Sequence, residues 1–243
     1  MSMQPCHHHG PGDLRPSLLV ARSTMGGRRA GLAPRHLVMF AKLPRIGRVK
    51  SRLAADIGTV PAWCFCRTVT RSLLQGLAPP RRWSCWLALE RWGERGGHCG
   101  LASRGWTRLE QGRGDLGQRM ERVLCILPPG PVVIIGSDVP DLVPAHIEKA
   151  FAALRDCDAV FGPAVDGGFW LVGVQSKSRR LPLFEQVRWS TRYTLSDTLA
   201  NLPRQTVAVL DLLEDIDYGP AYQRWLQRRR HRGVRRSPAG VSA

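Results

Sequence analysis

The chain has no apolar run of about eighteen residues, so the sequence offers no membrane span. Leu18–Ala21 is too short for the apolar stretch of a signal peptide, and no small-residue cleavage site follows it. There is no Cys-x-x-Cys pair. The seven cysteines (Cys6, Cys64, Cys66, Cys85, Cys99, Cys125 and Cys157) are odd in number, and the spacing of Cys64 and Cys66 puts neither two thiols on one helix face nor a zinc knuckle in place. These absences imply a reducing, cytoplasmic setting in which the thiols serve as small core residues. No GxxxxGK[ST] loop occurs, which excludes the P-loop NTPases. Internal repeats are absent too. The eight tryptophans are spread through apparent core and turn segments, giving no stacking platform or RNA-binding signature.

Acid is scarce. Lys and Arg number 36 against 19 Asp and Glu, for a net charge of +17. Residues 1–35 net +4, and residues 224–243 net +7 with no acid at all, so the two ends hold 11 of the 17 excess charges. Such an excess suits nucleic acid or an anionic surface. Lying mostly in aperiodic Gly/Pro/Arg-rich ends, it reads instead as solvated tails, and His7–His9 fall in the same leader. The expected organisation is a basic leader over 1–35, one domain over 36–227 and a basic tail over 228–243. A chain of 243 residues can bury a substantial core in that domain.

Between the ends, short apolar runs alternate with amphipathic stretches. The spacing predicts strands at His36–Ala41, Trp83–Leu89, Val132–Gly136, Asp158–Gly162, Phe169–Gly173 and Thr206–Leu210. It predicts helices at about 60–77, 115–127, 144–155, 194–202 and 218–228, with Asp115 as a cap and Pro144 in a first turn. Strand–helix alternation implies an α/β fold, a mostly parallel central sheet with helices on both faces.

Polar segments follow the strand candidates, where open α/β sheets gather ligands. Residues 42–52 carry Lys42, Arg45, Arg48, Lys50 and Arg52 and no acid, which suits phosphate. The turn Gln111-Gly-Arg-Gly-Asp115 permits close backbone approach to a ligand. Asp138 follows the run VVIIGS and is placed to hold Mg²⁺ or Mn²⁺. Asp166 precedes Gly167 and Gly168 in a tight turn. Phe169 and Trp170 face opposite ways on a regular strand, so one is core and the other, taken as Trp170, lines a pocket with Trp189 and Ser190. Asp215-Ile-Asp217 follows the last strand, and Asp217 can return to the same pocket.

The strings GRVKSRL, QGRGDLGQRM, GSDVPDL, GPAVDGGFWLVG, RWST and DID, in this order over roughly residues 36–218, resemble a bacterial family of GT-A-superfamily, glycosyltransferase-like proteins related to nucleotidyltransferases. The resemblance implies a single-domain nucleotide-diphospho-sugar transferase fold. It implies that Arg48, Lys50 and Arg52 hold phosphates, and that Gln111, Gly112, Gly114 and Leu116 border the base. Asp138 would be the metal aspartate and Asp217 a second carboxylate at the metal, with Asp166, Gly167 and Gly168 facing the transferred group. The chain departs from the family pattern at Ile46 for proline, at Ser51 for threonine, and after Asp217, where Tyr-Gly-Pro-Ala replaces Thr-Pro-Glu-Asp. The expected function is transfer of a sugar from a nucleotide-sugar to an unidentified small acceptor. The alternatives are joining an NTP to a phosphorylated molecule with release of pyrophosphate and, from another class, basic nucleic-acid binding, which the aromatic distribution disfavours.

Overall fold

The computed structural model describes residues 34–78, 82–90 and 104–234, all within one compact unit. Most of the leader, Cys6, Cys99, His7–His9 and residues 235–243 lie outside the described residues. The elements are β1 (His36–Ala41), α1 (Ser51–Ile57), α2 (Thr59–Gly76), β2 (Ser84–Leu89), β3 (Trp106–Glu110), α3 (Leu116–Ile126), β4 (Val132–Ile135), α4 (Pro144–Ala153), β5 (Ala159–Pro163), β6 (Phe169–Val174), α5 (Thr194–Ala200), β7 (Val207–Val209) and α6 (Gly219–Val234).

The seven strands form one sheet in the order β3-β2-β1-β4-β6-β5-β7. All run parallel except β6, which is antiparallel to both of its neighbours. The cause is local: only residues 164–168 join β5 to β6, a hairpin length, whereas a parallel connection needs a crossover of about a dozen residues or more. Alternation sorts the core. Leu37, Met39 and Ala41 of β1 pack into one buried cluster with α1, α2, α4 and α6, while Val38 joins the cluster on the opposite face with α3 and Leu183, Phe184 and Leu202. Helices therefore cover both faces, and β4, reading VVII, is buried along its whole length.

Caps follow the sequence. The Asp115 carboxylate accepts from the Gln118 N–H at 2.9 Å and the Gln118 side chain accepts from the Asp115 N–H at 3.1 Å, closing a capping box at α3. Pro144 occupies the first turn of α4. Cys64 is exposed and Cys66 buried, as two residues of spacing on a helix require. Helix α6 runs to Val234, beyond the end expected near 228, and Arg228 on it pairs with Glu214 at 3.1 Å and Asp141 at 3.3 Å.

The topology creates one rim. From β1 the chain moves to β2 and β3 on one side, then returns to β4 on the other, so the carboxyl ends of β1 and β4 flank a switch point. Because β6 is reversed, the turn 164–168 lands on the same rim. After β7 the chain crosses back over this rim: the Leu213 N–H donates to the Pro163 carbonyl at 3.1 Å and the Ile216 N–H to the Asp138 carbonyl at 3.2 Å.

Candidate active site

Ile216 is fully buried in the core cluster, and its N–H is bonded to the segment after β4. In extended chain the residues on either side of it face the other way. Asp215 and Asp217 consequently point away from the core, and they meet Asp138. One carboxylate oxygen from each of the three lies within 4.8 Å of the others. Lys50 reaches into this group: its ammonium donates to Asp138 Oδ2 at 3.0 Å and to Asp217 Oδ1 at 2.5 Å. Arg52 Nη1 stands 3.5 Å from Asp217 Oδ2. Lys50 is in the left-handed region, at φ 51° and ψ 49°, directly before α1.

The electrostatics follow from crowding. Burial and the charges of Asp166, Asp138 and Asp217 push the Asp215 carboxyl up to about 6, with Lys50 acting the other way. For Lys50, burial opposes the charge, but Asp138 and Asp217 and the hydrogen bonds to them outweigh it and hold the ammonium above the ordinary lysine value. Asp215 binds its proton more readily folded than unfolded, so its contribution to stability is present below about pH 4 and falls away as pH rises through 6. Chelator-treated Asp215→Asn protein is therefore expected to escape the part of the decline in urea midpoint that wild type shows between about pH 4 and 6.5. A parallel decline in both proteins would contradict this.

Beside the aspartates opens a cleft of about 270 Å³, lined by Val165, Asp166, Asp215, Asp217, Tyr218 and Arg224, among others. Asp166 Oδ1 accepts from the Gly168 N–H at 2.8 Å. A Cβ on Gly167, which has φ +87°, would lie 2.3 Å from the Arg192 carbonyl oxygen, so that turn admits no side chain. Asp166 lines the cleft, and Gly167 and Gly168 shape the turn that carries it.

Other expected residues lie elsewhere. Trp170 is 2% exposed, its ring packs over Gly162, and its indole N–H donates to the Asp211 carbonyl, so it is a core residue and not a pocket wall. Its partner across the strand, Phe169, packs against Phe161 and Trp189. Trp189 also packs on Phe184, and neither it nor the exposed Ser190 lines the cleft. Gln111 is 4% exposed and its amide donates to the carbonyls of Ala88 and Ala41, tying the ends of β2 and β1 together. Gly112 and Gly114 have positive φ, and Arg122 crosses the same turn to donate to the carbonyls of Gln111 and Arg113. Leu116 is exposed there. Lys42 and Arg48 are exposed after β1, Lys42 being 3.8 Å from Glu90. Asp215 was the functional side chain that sequence reasoning left unassigned. Its signal was the alternation around an apolar Ile216.

Residues 74–191 match the profile of a bacterial family described as "Uncharacterized protein conserved in bacteria (DUF2064)". The fold matches that of a protein from Desulfovibrio desulfuricans G20, provisionally assigned as a nucleotide-diphospho-sugar transferase, with 27% identity and a TM-score of 0.73 over 84% of this chain and 91% of that one. The fold is also shared with 4-diphosphocytidyl-2C-methyl-D-erythritol synthase from Anaerococcus prevotii DSM 20548, at 12% identity and a TM-score of 0.52 over 80% of this chain and 96% of that one. A third relative, CMP:2-keto-3-deoxy-manno-octonic acid synthetase solved with CTP, gives 10% identity and a TM-score of 0.51 over 83% of this chain and all of that one. No curated protein matches the chain. The chain thus adopts the GT-A-like fold that the motifs implied. No helix among its described residues is long and apolar enough to cross a membrane.

Proposed function

We propose that this protein is a metal-dependent transferase that binds a nucleotide-sugar and passes the sugar to a small acceptor. The observation that carries the reading is the convergence of Asp138, Asp215 and Asp217 at the switch point of the sheet, beside a cleft and a cationic loop. Three carboxylate oxygens within 4.8 Å make an all-oxygen donor set, which suits a hard divalent cation such as Mg²⁺ or Mn²⁺. Their mutual repulsion, felt by Asp215, is what a dication relieves, so the residues fit the ion. When bound, the ion would supply positive charge to the leaving diphosphate. The relative at 27% identity, itself provisionally assigned to nucleotide-diphospho-sugars, supports the same reading.

The chain's own groups take the remaining roles. Lys42, Arg48 and Arg52 present exposed cations after β1 for the phosphates. Gly112, Gly114 and Leu116 border the base beside the positive-φ turn, which Gln111 and Arg122 hold in shape. Asp166, fixed by its bond to the Gly168 N–H, faces the cleft and would accept the proton of the acceptor hydroxyl.

A thermal-shift series of nucleotides and nucleotide-sugars with and without Mn²⁺ tests the reading. A ligand at 100 times its Kd adds about 2.7 kcal/mol, and that shift is expected to need the metal. The cationic loop would cradle a triphosphate equally well, which makes nucleotidyl transfer the second reading. Release of nucleoside diphosphate supports sugar transfer, whereas release of pyrophosphate replaces it with nucleotidyl transfer. Arg48→Ala combined with Arg52→Ala is expected to weaken nucleotide binding by about tenfold or more, since hydrogen bonds to charged groups are worth about 1.5–3 kcal/mol. Both side chains are exposed, so the urea midpoint is expected to stay within error of wild type. Unchanged nucleotide affinity in that double variant would remove the loop from the site.

A further inference from the structure

Lys50 is a cation placed on the carboxylates themselves. Its ammonium bonds Asp138 Oδ2 and Asp217 Oδ1 at 3.0 and 2.5 Å, and its side chain is only 11% exposed. Its backbone is held at φ 51°, a conformation that a non-glycine residue keeps only when its surroundings impose it.

A dication and an ammonium compete for the same carboxylates at a cost in mutual repulsion that a partly buried site does not screen. The lysine stem is flexible enough to leave, and the exposed cationic stretch around it is where a polyphosphate would lie. We propose that Lys50 is an internal counter-ion that occupies the aspartate centre in the metal-free protein and is displaced by the metal, which frees its ammonium for the phosphates of the nucleotide. This rests on the metal-site reading above. It makes Lys50 an antagonist of metal binding and an aid to nucleotide binding, so the site opens to phosphate only after the ion has arrived. A lysine serving phosphate alone, away from the carboxylates, would become no more reactive when the ion binds.

The test measures Mn²⁺ alone, without nucleotide, by electron paramagnetic resonance of the free ion in full-length wild type, Lys50→Met, Lys50→Gln and Asp138→Asn. Both Lys50 variants are expected to bind Mn²⁺ more tightly than wild type, by a factor in the range of about 5 to 150 that couplings between sites usually span. Asp138→Asn is expected to bind it far more weakly. A second measurement needs no variant. The chain has four lysines (Lys42, Lys50, Lys149 and Lys177), so acetylation of each is resolved by peptide mass spectrometry. Mn²⁺ is expected to speed acetylation of Lys50 while leaving Lys149 and Lys177 unchanged. Equal Mn²⁺ affinity in wild type and the folded Lys50 variants overturns the displacement and leaves the metal site standing. Slower acetylation of Lys50 with Mn²⁺ overturns it as well, whether or not the variants fold. No Mn²⁺ binding by any of the four proteins overturns the metal site, and the displacement with it.

Discussion

Asp138→Asn is expected to abolish metal-dependent nucleotide binding, lowering Mn²⁺ affinity by about 100-fold or more while the fold persists. Changes to residues that only orient a metal ligand already cost about 10- to 100-fold in affinity, so neutralising a ligand sets a higher floor. The fold should survive for a specific reason. Asp138 accepts the Ile216 N–H at 3.2 Å through its main-chain carbonyl, which asparagine keeps, and the asparagine side chain still offers an oxygen to the Lys50 ammonium. Asparagine also has the shape of aspartate and relieves one of three crowded anions. The control is Asp166→Asn. Asp166 lines the cleft but is not one of the three converging carboxylates, so this variant is expected to bind Mn²⁺ within about threefold of wild type while losing turnover. Titrations of Mn²⁺ and of a nucleotide, each in the presence of the other, separate the two variants. Equal losses of Mn²⁺ affinity in both would mean that the metal centre is drawn in the wrong place.

How much of this was readable beforehand depends on the distance over which each signal acts. β1, the central VVII strand, the Asp115 cap and Pro144 in its first turn are local matters of pattern and capping, and the sequence located each within a residue or two. β3 was not legible. It reads WTRLE with only Trp106 buried, as an edge strand does, and carries too little apolar alternation to register. The reversal of β6 was available in principle, since five connecting residues cannot carry a crossover. Trp170 misled because alternation says only that Phe169 and Trp170 differ in face. The packing of Trp170 on Gly162, a glycine where any Cβ would meet the ring at 2.3 Å, is a tertiary fact. Lys50 was readable as a cation near phosphate, but its partners lie 88 and 167 residues away in sequence. No local pattern reaches that far. Asp138 and Asp217 were visible one by one while Asp215 was not, and the convergence of all three depends on how the chain returns across the rim after β7.

That return is the subject of the last expected result. Ile216→Ala is expected to cost roughly 2–5 kcal/mol of stability, as truncation of a buried isoleucine does when a cavity remains, with Ile216→Val costing roughly 0.5–1.5. Ile216 is fully buried, packed in the cluster that joins α1, α2, α4 and α6 to the sheet. The truncation also has a functional consequence. The segment 210–217 is held on the rim by a few main-chain bonds, from Leu210 to Phe161, Leu213 to Pro163, Val165 to Leu213 and Ile216 to Asp138. Ile216 is the buried anchor near its end, and its burial helps to fix which way Asp215 and Asp217 face, since a slip of one residue would send both carboxylates toward the core. With the anchor truncated, the two aspartates sample other positions and the metal must pay for ordering them. Mn²⁺ affinity is therefore expected to fall about tenfold in Ile216→Ala and to recover most of the way in Ile216→Val, in step with stability. Urea midpoints of chelator-treated protein give the first quantity, and Mn²⁺ titration under native conditions gives the second. If Ile216→Ala loses stability but binds Mn²⁺ as wild type does, the orientation of Asp215 and Asp217 is set by the main-chain bonds alone and the anchoring role of Ile216 is wrong.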